Sequence, residues 1–284
     1  MKKLMVLLCF IGLSSVANAG LVTNGLVAHL DAGSITGLNT GDNVTTWADI
    51  TTDAFDFTAN AVAGYGTPTF VADAGDGYAA VKFERVGSTD AERQFLDTGQ
   101  VVLGATPAAV TQFVVATGGP DSGTQRSMQF GRANGGDRYQ LAFEMNSGTS
   151  GVRANGGAYL VTPAPFDTGE WIVASAQIGE GVAYANLNYT VNGTYYAPTG
   201  GTLTTTARFH NKDSLIVGCG ETLNGGYIDQ YDGMVAEVLV YDRQLSTAEI
   251  AEVNEYLMDK YAIPEPATLL LLGLGTLAGL RRRK

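Results

Sequence analysis

The sequence predicts an all-β chain, an antiparallel β-sandwich of jelly-roll type with one helix at its C-terminal edge. Three observations carry this reading. Short segments alternate apolar and polar residues with a period of two, the pattern of half-buried strands. Gly, Asn, Asp and Pro bound them, and 37 glycines in 284 residues allow frequent turns. No helix alternates with the strands, as a parallel βαβ sheet would require.

Taken in order, residues 26–31 place Leu26, Ala28 and Leu30 on one face. Residues 39–63 are polar and rich in Thr and Asp, which predicts a long loop with one short strand. Trp47 within it is expected to anchor in the core. In residues 79–83, Val81 and Phe83 share a face and Lys82 opposes them. Residues 112–117 form a continuous apolar strand. In residues 138–144, Tyr139, Leu141 and Phe143 point inward, and Arg138, Gln140 and Glu144 outward. Residues 171–178, 182–191, 215–217 and 234–241 continue the series. In the last, Glu237 is expected on the face of Val235, Leu239 and Tyr241, with Asp242 opposite. Asn192-Gly193 predicts a type I′ hairpin turn, because both residues tolerate positive φ.

One helix follows. Ser246 is its N-cap and Glu249 completes a capping box, with Leu245 and Ile250 as the staple. Ile250, Val253, Leu257 and Tyr261 form one apolar stripe at helical spacing, and Pro264 ends the helix.

The ends of the chain read differently. Lys2 and Lys3, an apolar run over 4–13, and the small residues Ala17 and Ala19 make residues 1–19 a secretory signal peptide, cleaved before Gly20. At the other end, residues 267–280 are uncharged and Arg281, Arg282, Arg283 and Lys284 follow. At about 1.5 Å per residue such a helix spans about 21 Å, a short transmembrane segment held by a cytoplasmic basic cluster. Between them, residues 20–263 fit one domain, large enough to bury a core without disulfides. Cys219 is the single cysteine of that segment and is expected as a buried thiol.

The whole chain carries 17 basic and 28 acidic residues. Six basic residues and Glu265 lie in the terminal segments, leaving 11 basic against 27 acidic between them. That balance disfavours nucleic acid and anionic lipid as partners.

Pro264-Glu265-Pro266, the apolar run and the basic end resemble the PEP-CTERM sorting signal of Gram-negative bacteria over residues 264–284. The resemblance implies an exosortase as partner and cleavage near the Pro-Glu-Pro. It also implies transient anchoring in the inner membrane, then delivery to the cell surface or extracellular matrix.

Residues 232–246, with Glu249, Tyr256-Leu257 and Lys260-Tyr261, resemble the closing strand and helix of laminin G-like, concanavalin A-like jelly rolls. Residues 25–31, Val44 with Trp47-Ala48-Asp49, Val81-Lys82-Phe83, Gly169-Glu170-Trp171, Val191-Asn192-Gly193 and residues 215–218 follow the same order. Glucanases share this fold. Their E-x-D-x-E row, which would place two carboxylates on one strand face, is absent. No G-x-S-x-G is present. Two histidines and one cysteine in the mature segment do not make a zinc site. His29 stands beside Asp31 and is expected in a structural hydrogen bond.

The expectation is therefore not an enzyme, but an exported surface or matrix protein that binds extracellular polysaccharide. Two alternatives stand beside it: a polysaccharide-active enzyme of the glucanase-like fold, and a structural matrix protein without a small ligand. The family resemblance brings in calcium as a cofactor. Its candidate ligands are Asp73, Asp76, Asp229 and Asp232, whose Asp-Gly pairs also suit plain turns. Tyr195, Tyr196, Tyr227 and Tyr231 are the candidate residues for stacking on sugar rings.

Overall fold

The computed structural model describes residues 20–53, 55–59, 66–75, 77–85, 94–99, 107–117, 125–132, 139–146, 149–154, 158–165, 169–199, 206, 215–221 and 227–264. In chain order the strands are β1 (Leu26–Asp31), β2 (Thr46–Trp47), β3 (Phe57–Ala59), β4 (Thr69–Val71), β5 (Ala80–Phe83) and β6 (Leu96–Asp97). Next come β7 (Ala109–Thr117), β8 (Arg126–Arg132), β9 (Tyr139–Asn146), β10 (Thr149–Ala154), β11 (Ala158–Pro165) and β12 (Trp171–Gly179). The last are β13 (Asn188–Val191), β14 (Thr194–Tyr196), β15 (Leu215–Val217), β16 (Gly220–Glu221), β17 (Tyr227–Ile228) and β18 (Gly233–Tyr241), followed by α1 (Thr247–Lys260).

Two eight-stranded antiparallel sheets make the sandwich. The first runs β14-β13-β12-β7-β18-β5-β4, and β1 also pairs with β18. The second runs β11-β10-β9-β8-β15-β6-β3-β2. Between them lies a core that includes Leu30, Trp47, Phe83, Val114, Met128, Phe143 and Val240. Burying each such side chain contributes about 1.5–3 kcal/mol.

The outer face of the first sheet is apolar as well. Phe113, Val115, Val173, Leu239 and Tyr241 pack there against Ile250, Val253, Leu257 and Tyr261 of the C-terminal segment. β7 is thus covered on both faces, and all nine of its residues are buried. A strand buried on both sides reads as a continuous apolar run, as residues 113–116 do, with Gln112 and Thr117 buried at its ends.

Local signals fixed several elements. Asn192 and Gly193 have φ of 47° and 72°, as the hairpin turn requires. The capping box is complete: Ser246 Oγ accepts from the Glu249 N–H, and Glu249 Oε2 accepts from the Ser246 N–H at 2.7 Å. At the far end the Ile263 N–H donates to Met258 O at 2.9 Å and the Ala262 N–H to Asp259 O at 3.3 Å. With Ala262 at φ 50°, this is a Schellman ending with alanine in the place glycine favours. Trp47 and Cys219 are fully buried, as expected.

Other expectations change. Among the described residues of 39–63 there are two short strands, β2 and β3, which pair with each other. The strand expected over 182–191 begins only at Asn188, because the chain turns at Gly181 (φ 70°) and passes through a 3-10 turn, Tyr184–Asn186. Val235 does not share a face with Glu237. A bulge sets Val235 opposite Ala116 but Glu237 opposite Val115, with Ala236 as the extra residue. The extra residue reverses the alternation, so Val235 enters the inter-sheet core while Ala236, Leu239 and Tyr241 face the helix. The expected terminal hydrophobic helix lies outside the described residues. Among these, no helix is long and apolar enough to cross a membrane.

Candidate functional site

The densest group of ionisable side chains sits where β1, β18 and the end of α1 meet. The β1–β18 ladder pairs Asp31 with Glu237 and His29 with Leu239. Ala28 and Leu30 point into the inter-sheet core, so His29 and Asp31 project to the helix side. Two carboxylates directly opposite each other repel. The chain answers with a cation from the last helical turn: Lys260 Nζ lies 2.6 Å from Glu237 Oε2 and 2.8 Å from Asp31 Oδ2.

Glu237, 1% exposed, is the hub. Its Oε1 lies 2.7 Å from His29 Nε2, and its Oε2 also accepts from the Tyr261 hydroxyl at 2.7 Å. His29 thus bonds across the ladder to Glu237, not along its own strand to Asp31. His29 pairs with Leu239, so Glu237 is its diagonal neighbour, within reach of two long side chains. The His29 N–H donates to Asp49 Oδ1 at 2.8 Å, tying the β2–β3 region to the same corner.

Burial pulls the Lys260 ammonium down, but the charge of Glu237 and the hydrogen bonds to Asp31 and Glu237 outweigh it and hold the pKa above the ordinary lysine value. Tyr261 is pushed up, first by burial and then by the nearby charges of Glu237 and Asp31. Its phenol therefore stays a donor to Glu237. Chemically the group is a lock in which one ammonium is shared by two carboxylates. Among the described residues, His29, Asp31 and Glu237 are the one set of three acidic or imidazole ligand atoms within 4.8 Å. The ammonium of Lys260 already sits between their carboxylates, where a metal ion would otherwise balance charge.

The sequence-predicted sites fare unevenly. Asp73 Oδ1 accepts from the N–H of Gly75 at 3.1 Å and of Gly77 at 3.2 Å, which makes it a turn former. Asp229 adopts φ 54°, and the Asp232 N–H donates to Gln125 Oε1 at 2.9 Å. Among the described residues, Asp73, Asp229 and Asp232 do not converge into a calcium shell; Asp76 lies outside them.

Tyr231 is corrected from a stacking residue to a core residue. It is fully buried, packs on Phe83, and its hydroxyl donates to Thr117 O and Met234 O. Tyr195 and Tyr196 do not make one platform, because consecutive strand residues face opposite ways. Tyr195 is 56% exposed, whereas Tyr196 packs against Tyr189 with ring centroids 6.3 Å apart. The Tyr227 side chain lies outside the described residues, as do Ala17, Ala19, Glu265, Pro266, Arg281, Arg282 and Arg283. Pro264 is exposed and follows directly on the helix ending.

Sequence reading met each member of the lock separately and missed the constellation. Lys260 resembles an ordinary basic residue in a last helical turn. The available signal was Tyr261, whose place on the apolar stripe turns the helix end toward the strand carrying Glu237.

Comparison with known proteins bears on this architecture. A family model described as the concanavalin A-like lectin/glucanases superfamily matches residues 101–251, and the PEP-CTERM protein-sorting motif matches residues 262–284. The latter points to export and membrane-associated processing in a Gram-negative bacterium. No curated protein matches the chain. Among solved structures it is similar to a mutant Trypanosoma rangeli sialidase displaying trans-sialidase activity. That match has a TM-score of 0.50 and 16% identity, and covers 84% of this chain and 34% of that one. The chain thus spans about a third of the length of that sialidase. It is also similar to domain 4 of AbnA, a GH43 extracellular arabinanase from Geobacillus stearothermophilus, in complex with arabinotriose. There the TM-score is 0.45 at 14% identity, over 81% of this chain and 98% of that one. A third is the Ruminococcus gnavus IT-sialidase CBM40 bound to alpha2,3 sialyllactose, with a TM-score of 0.40 at 13% identity, over 53% and 84% of the two chains.

The expectation that the chain is not an enzyme is corrected by these matches. Chains named as sialidases and a domain of an arabinanase are among them, at 14–18% identity. A likeness of that degree is one of fold. The missing carboxylate row no longer serves to exclude catalysis.

Proposed function

The chain belongs to the concanavalin A-like lectin/glucanases superfamily, and from that membership we propose that it is an exported domain that binds extracellular polysaccharide at the cell surface or in the matrix. The observation that carries this reading is the pairing of two matches in one chain. A match to a carbohydrate-related superfamily covers residues 101–251, and a sorting motif follows at 262–284. On this reading residues 1–19 direct export, residues 20–263 form the delivered domain, and residues 264–284 are its address, handled by an exosortase.

The geometry supports binding away from the lock. Glu237 is sealed beneath Lys260 and Tyr261, so a sugar ring has no path to it. The acidic balance of the domain suits a neutral polysaccharide better than an anionic one. Tyr195 offers an exposed aromatic face at the edge of the first sheet, the kind of surface that stacks on a sugar ring.

The test is retention of the full-length protein on a polysaccharide and oligosaccharide array, with and without EDTA. Retention on neutral glycans is the expected result, and loss of it with EDTA would assign calcium a part. Retention on no glycan would overturn the reading.

A further inference from the structure

At one end of the first sheet, the β4–β5 turn, the start of β12 and the end of α1 meet around Trp171. Its ring stacks on Tyr261, with centroids 6.5 Å and planes 21° apart, and Tyr78 meets it edge to face at 5.9 Å. These two neighbours are tied to each other, since the Tyr78 hydroxyl donates to Tyr261 O at 2.7 Å. The indole is thus held in place, yet Trp171 is only half-buried, whereas Trp47, the chain's other tryptophan, is fully buried. Among the described residues, nothing accepts from the Trp171 indole N–H. An indole nitrogen can only donate, so this donor is spare for a ligand.

The β4–β5 turn leaves that N–H open. Asp73 Oδ1 accepts from the N–H groups of Gly75 and Gly77, and the Ala74 N–H donates to Tyr78 O at 2.8 Å. Gly75, at φ 126°, is the residue that faces the indole. A Cβ there would stand 3.9 Å from the Trp171 Nε1, so a side chain would crowd the N–H. The turn engages one oxygen of Asp73 only. Among the described residues no donor reaches its Oδ2, and Asp73 is exposed. An aromatic wall, a spare donor and a spare acceptor therefore share one corner of the domain.

We propose that this corner is a saccharide subsite: Trp171 Nε1 donates to one hydroxyl of a neutral sugar, Asp73 Oδ2 accepts from a neighbouring hydroxyl, and the sugar ring lies against the Trp171 and Tyr78 wall. The inference rests on the polysaccharide-binding reading above and adds where on the domain the polymer is held. A hydroxyl both donates and accepts, so a neighbouring pair of them matches this set. An acidic sugar would meet Asp73 and the exposed Glu170 as like charges. Tyr195 extends the site. It pairs with Thr190, which pairs with Ser175, four residues along β12 from Trp171. Thr190 bonds to Asn254 of α1 and Trp171 packs on the cluster under α1, so both aromatics stand on the helix side of the sheet. Four residues span about 13 Å and two strand spacings about 10 Å, a separation that a polymer bridges and a single sugar does not.

The experiment runs the full-length protein through native gels cast with dextran, arabinan or galactomannan, and with alginate, a polyuronate, as the acidic control. At least one neutral polymer is expected to retard it, and alginate is not. The retarding polymer is then expected to shield tryptophan fluorescence from acrylamide, a change that reports Trp171 because Trp47 is fully buried. Trp171→Phe keeps a ring against Tyr261 and removes the N–H, and is expected to weaken binding about threefold to tenfold. Asp73→Asn keeps an acceptor for the turn and removes the charged one, and is expected to weaken binding at least about tenfold while melting as the wild type does. A protein retarded by no polymer overturns the inference together with the reading it rests on. A wild type that is retarded while its tryptophan stays as open to acrylamide as before overturns this inference alone. So does a folded variant of either kind that binds like the wild type, or retardation by alginate equal to that by the neutral polymers.

Discussion

Asp31 and Glu237 face each other directly across the β1–β18 ladder, and both oxygens nearest the helix are bridged by the ammonium of Lys260. The pairing joins residues 229 apart in the chain, Asp31 and Lys260. Removing the cation leaves Glu237 buried with only its hydrogen bonds to His29 and Tyr261. Lys260→Met is therefore expected to destabilise the domain by about 3 kcal/mol, the low end for breaking a buried pair, since part of Lys260 reaches solvent. Asp31→Asn, at the more exposed end of the bridge, is expected to cost less than about 1 kcal/mol. Urea unfolding of both variants checks the ratio.

Stability should depend on pH at both ends of the scale. The Arg243 guanidinium, then the backbone and hydroxyl of Ser246, hold the Glu249 carboxyl down at about 2. A depressed carboxylate stabilises the fold above its ordinary value of 4.5, and that contribution is lost as pH falls toward about 2. Lys260 has the opposite sign. Its pKa is raised, so its contribution is full below 10.5 and is lost as pH climbs beyond that value. Melting temperature measured from pH 2 to 11 should show a plateau with two flanks. Glu249→Gln should flatten the acid flank and Lys260→Met the alkaline one.

The helix ending stores a correctable strain. Ala262 holds φ 50° where glycine meets no Cβ penalty. Ala262→Gly is expected to stabilise the domain by about 0.5–1 kcal/mol, after the extra entropy of the unfolded glycine chain. A higher urea midpoint at unchanged slope would show it.

Gly218 carries the reverse case. At φ 99°, a Cβ there would lie 2.3 Å from the Phe83 ring and 2.8 Å from Gln94 O. Neither the packed ring nor the backbone can retreat cheaply. Gly218→Ala is expected to cost more than about 2 kcal/mol, with a lower melting temperature as the readout.

What the sequence disclosed follows the range of each interaction. The hairpin at Asn192-Gly193, the Ser246 and Glu249 cap and the stripe from Ile250 to Tyr261 depend on neighbours within a few residues, and all were legible. The double burial of β7 showed as an unbroken apolar run. The bulge was hidden because the extra residue, Ala236, is apolar like Val235 before it, with no Gly or Pro beside it as a mark. Tyr231 read as a surface aromatic because the partners that bury it, Phe83 and Thr117, lie far away in the sequence. The lock was illegible for the same reason. Asp31, Glu237 and Lys260 are unremarkable in their own segments and gain meaning only from the ladder that joins the first strand to the last.

The reading as a polysaccharide-binding domain is tested most directly by depletion. The full-length protein would be mixed with purified extracellular polysaccharide from a Gram-negative host, the polymer sedimented, and the protein left in solution measured as polymer is added. The account predicts saturable depletion that weakens for Tyr195→Ala. Protein that stays in solution at every polymer concentration would contradict it.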